Sequence, residues 1–337
     1  MTRFRASAMK TQPWRQWRTQ ADRSPRTRGI PAAFGMAAAM AAALWGCTLA
    51  DGPDSTVEPG FVPAASVADP LRPENAPQRA PDIMARSAIL IDAVTGQSLY
   101  EKNPDLRLPV ASTQKLLTAM VAIEQGGLER EVTITLRDAM QPPTKLGLAP
   151  NSRQRRMDLL AGMLVSSAND AASALASNGN GYYSGFIDRM NSKARELGAS
   201  NSRFTNPHGL DEAGQFSTAR DSAIIAYHAY RDPLIRHFSA QRAIPFRYGD
   251  GRNTVLENTN SLVWSWPSYF NGLKGGFTLW GGKCLVASAK HNGSEIIIVL
   301  LGSTPDDVFA DARKLFKWHE TKLQTGYGDA PVRVITE

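Results

Sequence analysis

Three short runs carry side chains that could do chemistry together: Ser112-Thr113-Gln114-Lys115, Ser167-Ala168-Asn169 and Lys274-Gly275-Gly276-Phe277. In a helix, residues three apart share a face, so the Lys115 amine can reach the Ser112 hydroxyl. A serine hydroxyl is a weak nucleophile until a base takes its proton. Lysine is that base only when neutral, and burial or a second nearby cation lowers its pKa far enough. The pair alone is not specific. Ser7-Ala8-Met9-Lys10 has the same spacing, a chain of this composition holds about one such match by chance, and Ser112 can equally be a helix N-cap.

Ser167 and Asn169 follow the apolar Met163-Leu164-Val165. If the helix is interrupted there, the hydroxyl can relay a proton while the amide holds a substrate amide in the same cleft. Read alone, the run is also a polar turn between two helices. Lys274, Gly276 and Phe277 fall in an expected strand. A lysine on an edge strand supplies charge beside Lys115 and a contact for a carboxylate, and the glycines let a substrate backbone lie against that edge. The alternative is a hairpin bulge with a solvated lysine. Cys284, in an apolar strand, reads as a buried structural thiol. His208 reads as a turn or cleft residue, Arg220-Asp221 as an ion pair or helix start, and Trp264 and Trp266 as packing residues.

Positioning these groups takes a mixed fold. Ser87–Ala93 and Ser98–Tyr100 read as strands around a turn at 94–97. Ser112–Glu124 has helical spacing and ends at Gly126-Gly127, and Asp158–Ser177, Tyr183–Leu197 and Asp221–Tyr230 follow as helices. Ala243–Tyr248, Gly272–Phe277, Gly282–Lys290 and Ser294–Gly302 read as strands separated by glycines, and Asp306–His319 as a closing helix. The expected class is α+β: an antiparallel sheet built from both ends of the domain, with helices packed on it and a helical subregion between.

The net charge of +7 invites a search for an anionic partner. However, residues 1–30 hold eight basic residues and one acid, and the remainder carries 30 of each sign. The basic character belongs to a leader, so nucleic acid is not an expected partner. Ile30 to Ala50 has no charged residue, and a positive flank before an apolar run is the pattern of an export signal. Leu44-Trp45-Gly46-Cys47 resembles a bacterial lipobox, which makes Cys47 a candidate lipid anchor. An uncleaved membrane helix and a soluble secreted form are the alternatives, and Met9 is an alternative start. Thr48 to Ile83 contains seven prolines, a composition that favours an extended tether reaching ~100 Å at most. Two cysteines and five histidines without an H-x-x-x-H pair leave no evident disulfide framework or metal site.

The order of the three runs follows the S-x-x-K, S-D-N and K-T-G set of penicillin-interacting serine enzymes. The chain resembles a serine-type D-alanyl-D-alanine carboxypeptidase, a low-molecular-mass penicillin-binding protein, from about Met84 to His319. The likeness is carried by Asp92-Ala-Val-Thr-Gly-Gln-Ser-Leu-Tyr, Pro109-Val-Ala-Ser-Thr-Gln-Lys-Leu-Leu-Thr-Ala and Leu164-Val-Ser-Ser-Ala-Asn-Asp-Ala-Ala. It continues in Met190-Asn-Ser-Lys-Ala-Arg-Glu-Leu-Gly, Phe204-Thr-Asn-Pro-His-Gly-Leu-Asp, Ser217-Thr-Ala-Arg-Asp and Asn258-Thr-Asn.

The resemblance implies a β-lactamase/penicillin-binding-protein-like fold and a set of roles. Ser112 attacks the carbonyl between two D-alanines of a peptidoglycan stem peptide, with Lys115 as base. Ser167 passes the proton to the leaving D-alanine, and Asn169 binds the peptide. Lys274 lies near the terminal carboxylate, and the N–H groups of Ser112 and Phe277 form an oxyanion hole beside Gly276. No cofactor or metal is implied, and β-lactams would be covalent inhibitors. Gly275 departs from the pattern, because the family has a threonine or serine there to hydrogen-bond the carboxylate. The alternatives are therefore a D,D-endopeptidase with the same motifs and a weakly active or non-catalytic peptidoglycan-binding homologue. The expected organisation is a signal peptide over 1–47, a Pro-rich tether over 48–83, a catalytic domain over 84–320 and a C-terminal tail over 321–337. Such a protein works in the periplasm or cell envelope, held to the membrane through its N-terminus.

Overall fold

The computed structural model describes residues 80–325 and 332–334. The leader, Cys47 and nearly all of the Pro-rich segment lie outside the described residues. In chain order the strands are β1 Ser87–Asp92, β2 Ser98–Lys102, β3 Glu131–Thr133, β4 Arg153–Arg155, β5 Ala243–Arg247, β6 Asn253–Glu257, β7 Phe270–Thr278, β8 Gly282–His291, β9 Ser294–Ser303 and β10 Val332–Val334. The helices are α1 Lys115–Glu124, α2 Leu136–Ala139, α3 Arg156–Val165, α4 Asn169–Ser177, α5 Ser184–Glu196, α6 Ala219–Arg231, α7 Pro233–Ala240, α8 Leu262–Ser265 and α9 Val308–Thr325.

The main sheet has the order β10-β2-β1-β9-β8-β7 and is antiparallel throughout, except that β10 runs parallel to β2. It is completed from both ends of the domain because β1 pairs with β9 over six residues. Strand β9 reads Ile296-Ile297-Ile298-Val299-Leu300-Leu301, an unbroken apolar run covered on both faces. Its alternation decides what each residue packs on. Ile297, Val299 and Leu301 join the core beneath the helical subregion, while Ile296, Ile298 and Leu300 meet Val308, Ala312, Leu315 and Phe316 of α9. Strand β7 is the sheet's outer edge on the side of the helices.

Three local expectations are corrected. The single helix expected over 158–177 is two helices, α3 and α4, separated by Ser166–Ala168 with Ser167 at φ 65°. Its Ala- and Leu-rich composition contains no breaker except Gly162, which lies inside α3. The break comes from polar competition, since the Ser166 hydroxyl donates back to Gly162 O and the Asn169 side chain is engaged across the cleft. The strand expected at Ala243 forms, but it pairs only with β6 in a separate ribbon. The closing helix runs on to Thr325, and Val332–Val334 adds a strand beside β2 within the segment expected as a tail. The ribbon of β3 and β4, strand β6 and helix α7 have no counterpart in the sequence reading. Among the described residues, no helix is long and apolar enough to cross a membrane.

Candidate functional site

Ser112 lies in a 3-10 turn, Ala111–Gln114, that runs directly into α1 and places Lys115 at the helix start. The amine Nζ of Lys115 lies 2.7 Å from Ser112 Oγ, 2.7 Å from Asn169 Oδ1 and 2.7 Å from the main-chain oxygen of His208. Lys115 is fully buried, so its pKa is driven well below the ordinary lysine value, first by loss of solvation and then by the charge of Lys274. The Asp170 carboxylate opposes this shift. A buried lysine whose neighbours are neutral oxygens and a second cation is thus poised as a free amine.

The structure holds this group from several sides. Asn169 heads α4, its Oδ1 facing Lys115 while its Nδ2 donates 2.5 Å to Pro142 O. The next residue, Asp170, accepts from the N–H groups of Leu146, Gly147, Leu148 and Ala171, which pins the 146–148 loop to the helix start. At the far ends of the same two helices sits the buried Arg156. It donates to Ala122 O and Gln125 Oε1 at the end of α1, and to Leu175 O and Asn178 Oδ1 at the end of α4. One guanidinium therefore binds the negative ends of the helices whose other ends carry Lys115 and Asn169.

Beneath α1 lies the 204–211 segment. Asn206 O accepts from Gln114 Nε2, Pro207 O accepts from Thr118 Oγ1, and Asn206 Oδ1 receives the N–H groups of His208 and Gly209. Gly209 has φ +88°, and a Cβ there would stand 2.1 Å from Ala111 O, so only glycine fits. This turn aims the His208 carbonyl at Lys115. The His208 ring is buried and its pKa is pushed down to about 3, chiefly by desolvation and then by the charges of Lys115 and Arg137.

The opposite wall is strand β7. Lys274 is buried, its Nζ donates 2.9 Å to Gly275 O, and its pKa is lowered to about 7 by desolvation and then by Lys283. A Cβ on Gly276 would lie 2.4 Å from Ser112 N, so the strand backbone rests directly on the nucleophile's own amide. By contrast, a Cβ on Gly275 would meet only Cys284 O and Leu285 Cδ1, both at 3.7 Å, which is ordinary contact. Cys284 is buried opposite Gly276, and its thiol pKa is raised to about 11 by burial, as a structural thiol requires.

The structure therefore brings Ser112, Lys115 and Asn169 into direct hydrogen-bond range and sets Lys274 and Gly276 against them. Ser167 is buried two residues before Asn169 in the strained kink, without a hydrogen bond to Ser112 or Lys115. The Phe277 side chain is 53% exposed, so what β7 offers the cleft at this position is main chain. Among the described residues, six non-glycine residues have positive φ; four are asparagines, which tolerate it, and the other two are Ala111 and Ser167, immediately beside the site. Sequence reasoning missed the His208 carbonyl, Asp170 and Arg156. A main-chain acceptor leaves no residue signature, although Asn206-Pro-His-Gly209 carries the turn chemistry that positions it. Arg220 pairs with Glu101 and Asp105, while Thr218 caps α6 at Asp221, so both readings of Arg220-Asp221 hold. Trp266 packs among Tyr269, Phe270 and Phe316, and Trp264 Nε1 donates to Asn258 O.

The profile of the D-alanyl-D-alanine carboxypeptidase family matches residues 74–304. The chain is 33% identical over 247 residues to the D-alanyl-D-alanine carboxypeptidase DacF of Bacillus subtilis, an alignment covering 72% of this chain but 63% of that protein. It is 35% identical over 248 residues to the D-alanyl-D-alanine endopeptidase of Escherichia coli, covering 72% of this chain and 79% of that one. The chain thus spans less than two thirds of the Bacillus relative's length. A solved D-alanyl-D-alanine carboxypeptidase of Mycobacterium tuberculosis superposes with a TM-score of 0.66 at 30% identity, covering 72% of this chain and 92% of that one. A DD-transpeptidase of Streptomyces does so with a TM-score of 0.67 at 28% identity, covering 71% and 98%. With the profile matching well over half its length and the site motifs in family order, the chain belongs to the D-alanyl-D-alanine carboxypeptidase family.

Proposed function

We propose that the protein is a serine-type D-alanyl-D-alanine carboxypeptidase that removes the terminal D-alanine of peptidoglycan stem peptides through an acyl-enzyme on Ser112. The observation that carries this reading is the environment of Lys115. A neutral amine has two N–H donors and one lone pair. Two of its three neighbours are carbonyl oxygens that only accept, so the lone pair is left for the Ser112 hydroxyl proton. In the forward step Lys115 takes that proton as Ser112 Oγ bonds to the scissile carbonyl carbon. The resulting oxyanion meets the N–H groups of Ser112 and Phe277, the kind of preorganised donor pair that dominates acyl transfer. The proton then passes by way of Ser167 to the leaving D-alanine nitrogen, and the carbonyl re-forms as the peptide bond breaks. Water repeats the sequence on the ester, releasing the shortened peptide and free Ser112. Asn169 and the edge of β7 hold the peptide, and Lys274 receives its carboxylate. A penicillin would follow the acylation step and remain attached.

Incubation with a fluorescent penicillin tests the reading. The parent protein should be labelled, and Ser112→Ala should lose the label altogether. An unlabelled parent would instead favour a non-catalytic peptidoglycan-binding protein. Release of D-alanine from a pentapeptide, set against cleavage of a cross-linked dimer, separates a carboxypeptidase from an endopeptidase.

The export signal and Cys47 support a cell-envelope location with a lipid anchor, a part of the proposal that rests on sequence. Metabolic labelling with palmitate, lost in Cys47→Ala, is the corresponding test.

A further inference from the structure

One stretch of surface outside the cleft combines features that this chemistry does not use. Two concavities of about 510 and 500 Å³ share Asp188, Asn191 and Arg203, forming a continuous groove along α5. One end is bordered by Arg137, Tyr182 and Tyr183, the other by Arg195 and Phe216. Arg137 lies 4.6 Å over the Tyr183 ring and donates to Gly181 O, while Arg107 lies 4.7 Å over the Phe216 ring and donates to Asn201 Oδ1. Arg195 donates to Ser192 Oγ, and Arg203 is exposed.

None of these four arginines has a carboxylate partner among the described residues. Elsewhere Arg153, Arg155, Arg189, Arg220 and Arg252 each hold one, whereas among the described residues Arg231 and Arg242 bond only main-chain oxygens. The contrast is sharpest on α5 itself, where Arg189 pairs with Glu124 and Glu196 and Arg195 pairs with neither. Asp188 is the acid that lines the two concavities, against Arg137, Arg195 and Arg203, so the local balance is positive. Aromatic rings stacked under guanidinium groups hold those groups in place for a planar anion. The groove also adjoins the cleft. Thr205 lines it three residues before His208, whose carbonyl holds Lys115, and the charge of Arg137 is felt at the buried His208 ring.

We infer that this groove binds the anionic remainder of the peptidoglycan strand whose D-alanyl end occupies the cleft, with the arginines meeting free stem-peptide carboxylates. The inference rests on the peptidase reading and extends it from the scissile dipeptide to the polymer. The groove is joined to the cleft through the turn that carries Thr205 and His208.

The test is co-sedimentation of the whole protein with purified sacculi, at low and high salt, and with sacculi whose carboxyl groups have been converted to amides. Arg195→Glu combined with Arg203→Glu should bind untreated sacculi at least about fivefold more weakly than the parent at low salt. That difference should vanish at high salt, where exposed charges are screened, and on amidated sacculi. Equal binding of parent and variant to untreated sacculi overturns the inference, as does a deficit that persists on amidated ones. An unchanged melting temperature reports that the variant is folded. If it is not, the parent alone decides, and parental binding insensitive to amidation overturns the groove. Failure of the parent to react with penicillin is a separate outcome that overturns the peptidase reading itself.

Discussion

The helical wall of the cleft and its strand wall are built to different tolerances. On the helical side, Lys115 Nζ has three oxygens at 2.7 Å, and Asn169, Asp170, Arg156 and the 206–209 turn brace them. On the strand side, Lys274 has one close partner, the carbonyl of its neighbour, and Gly275 has no side chain to add another. The wall that would move protons is over-determined, whereas the wall that would receive the substrate carboxylate has a single charged group. Proton transfer depends on sub-ångström placement in a dry site. A carboxylate can be caught by charge alone with some loss of strength. Chemistry is therefore expected to be preserved in this chain, and carboxylate affinity to be its adjustable part.

The largest effect should come from the braced wall. Lys115→Met removes the amine proposed as the base of Ser112 and should slow penicillin acylation by ~10²–10⁴-fold; a variant within threefold of the parent would break the comparison. Next comes Lys274→Met, which removes a charge-assisted contact worth ~10- to 150-fold in carboxylate-dependent acylation. Its folded pKa of about 7 lies below the ordinary 10.5. Between these values the unfolded chain binds the extra proton, so the stability contribution of Lys274 rises with pH, and below about 7 the full burial penalty applies. The methionine variant should therefore melt at a higher temperature than the parent at pH 7 while acylating more slowly. A fall in both would show that Lys274 is structural.

The same two lysines set the pH profile. With Lys115 required neutral and Lys274 charged, kcat/KM should rise as Lys115 loses its proton, well below the ordinary lysine range, and decline above about 7. The alkaline limb should disappear in Lys274→Met, and its survival would assign it elsewhere. Gly276→Ala pushes a methyl into the Ser112 amide and should cost ~1–3 kcal/mol of stability together with about tenfold in acylation. Thermal melts and labelling rates read the two separately. The smallest effect is a gain: Gly275→Thr finds open contacts at 3.7 Å and should raise acylation by a few-fold to about tenfold. No gain would mean that Lys274 alone already satisfies the carboxylate.

Much of this was legible in the residues. Five of the six strands of the main sheet were visible because buried strands are apolar runs between glycines, while β10 fell in the segment expected as a tail; the order of the three motifs pointed to their meeting in one cleft. The ribbon of β5 and β6 was not legible, since alternation reveals a strand without revealing its partner. The break at Ser166–Ala168 was legible only as one of two readings, a polar turn between two helices, because it opposes the local propensity of an Ala-rich helix and depends in part on the contact of Asn169 with Lys115.

By itself, then, the sequence determined the candidate nucleophile, base and amide, the glycines at 275 and 276, and a basic leader followed by a remainder of balanced charge. Only the tertiary structure decided that Lys115 is desolvated beside a second lysine, that a main-chain carbonyl of His208 completes its surroundings, and that Gly276 is glycine because Ser112 N lies against it. Those facts depend on burial and on contacts between segments some 50 to 160 residues apart, quantities that residue types at fixed spacing do not carry.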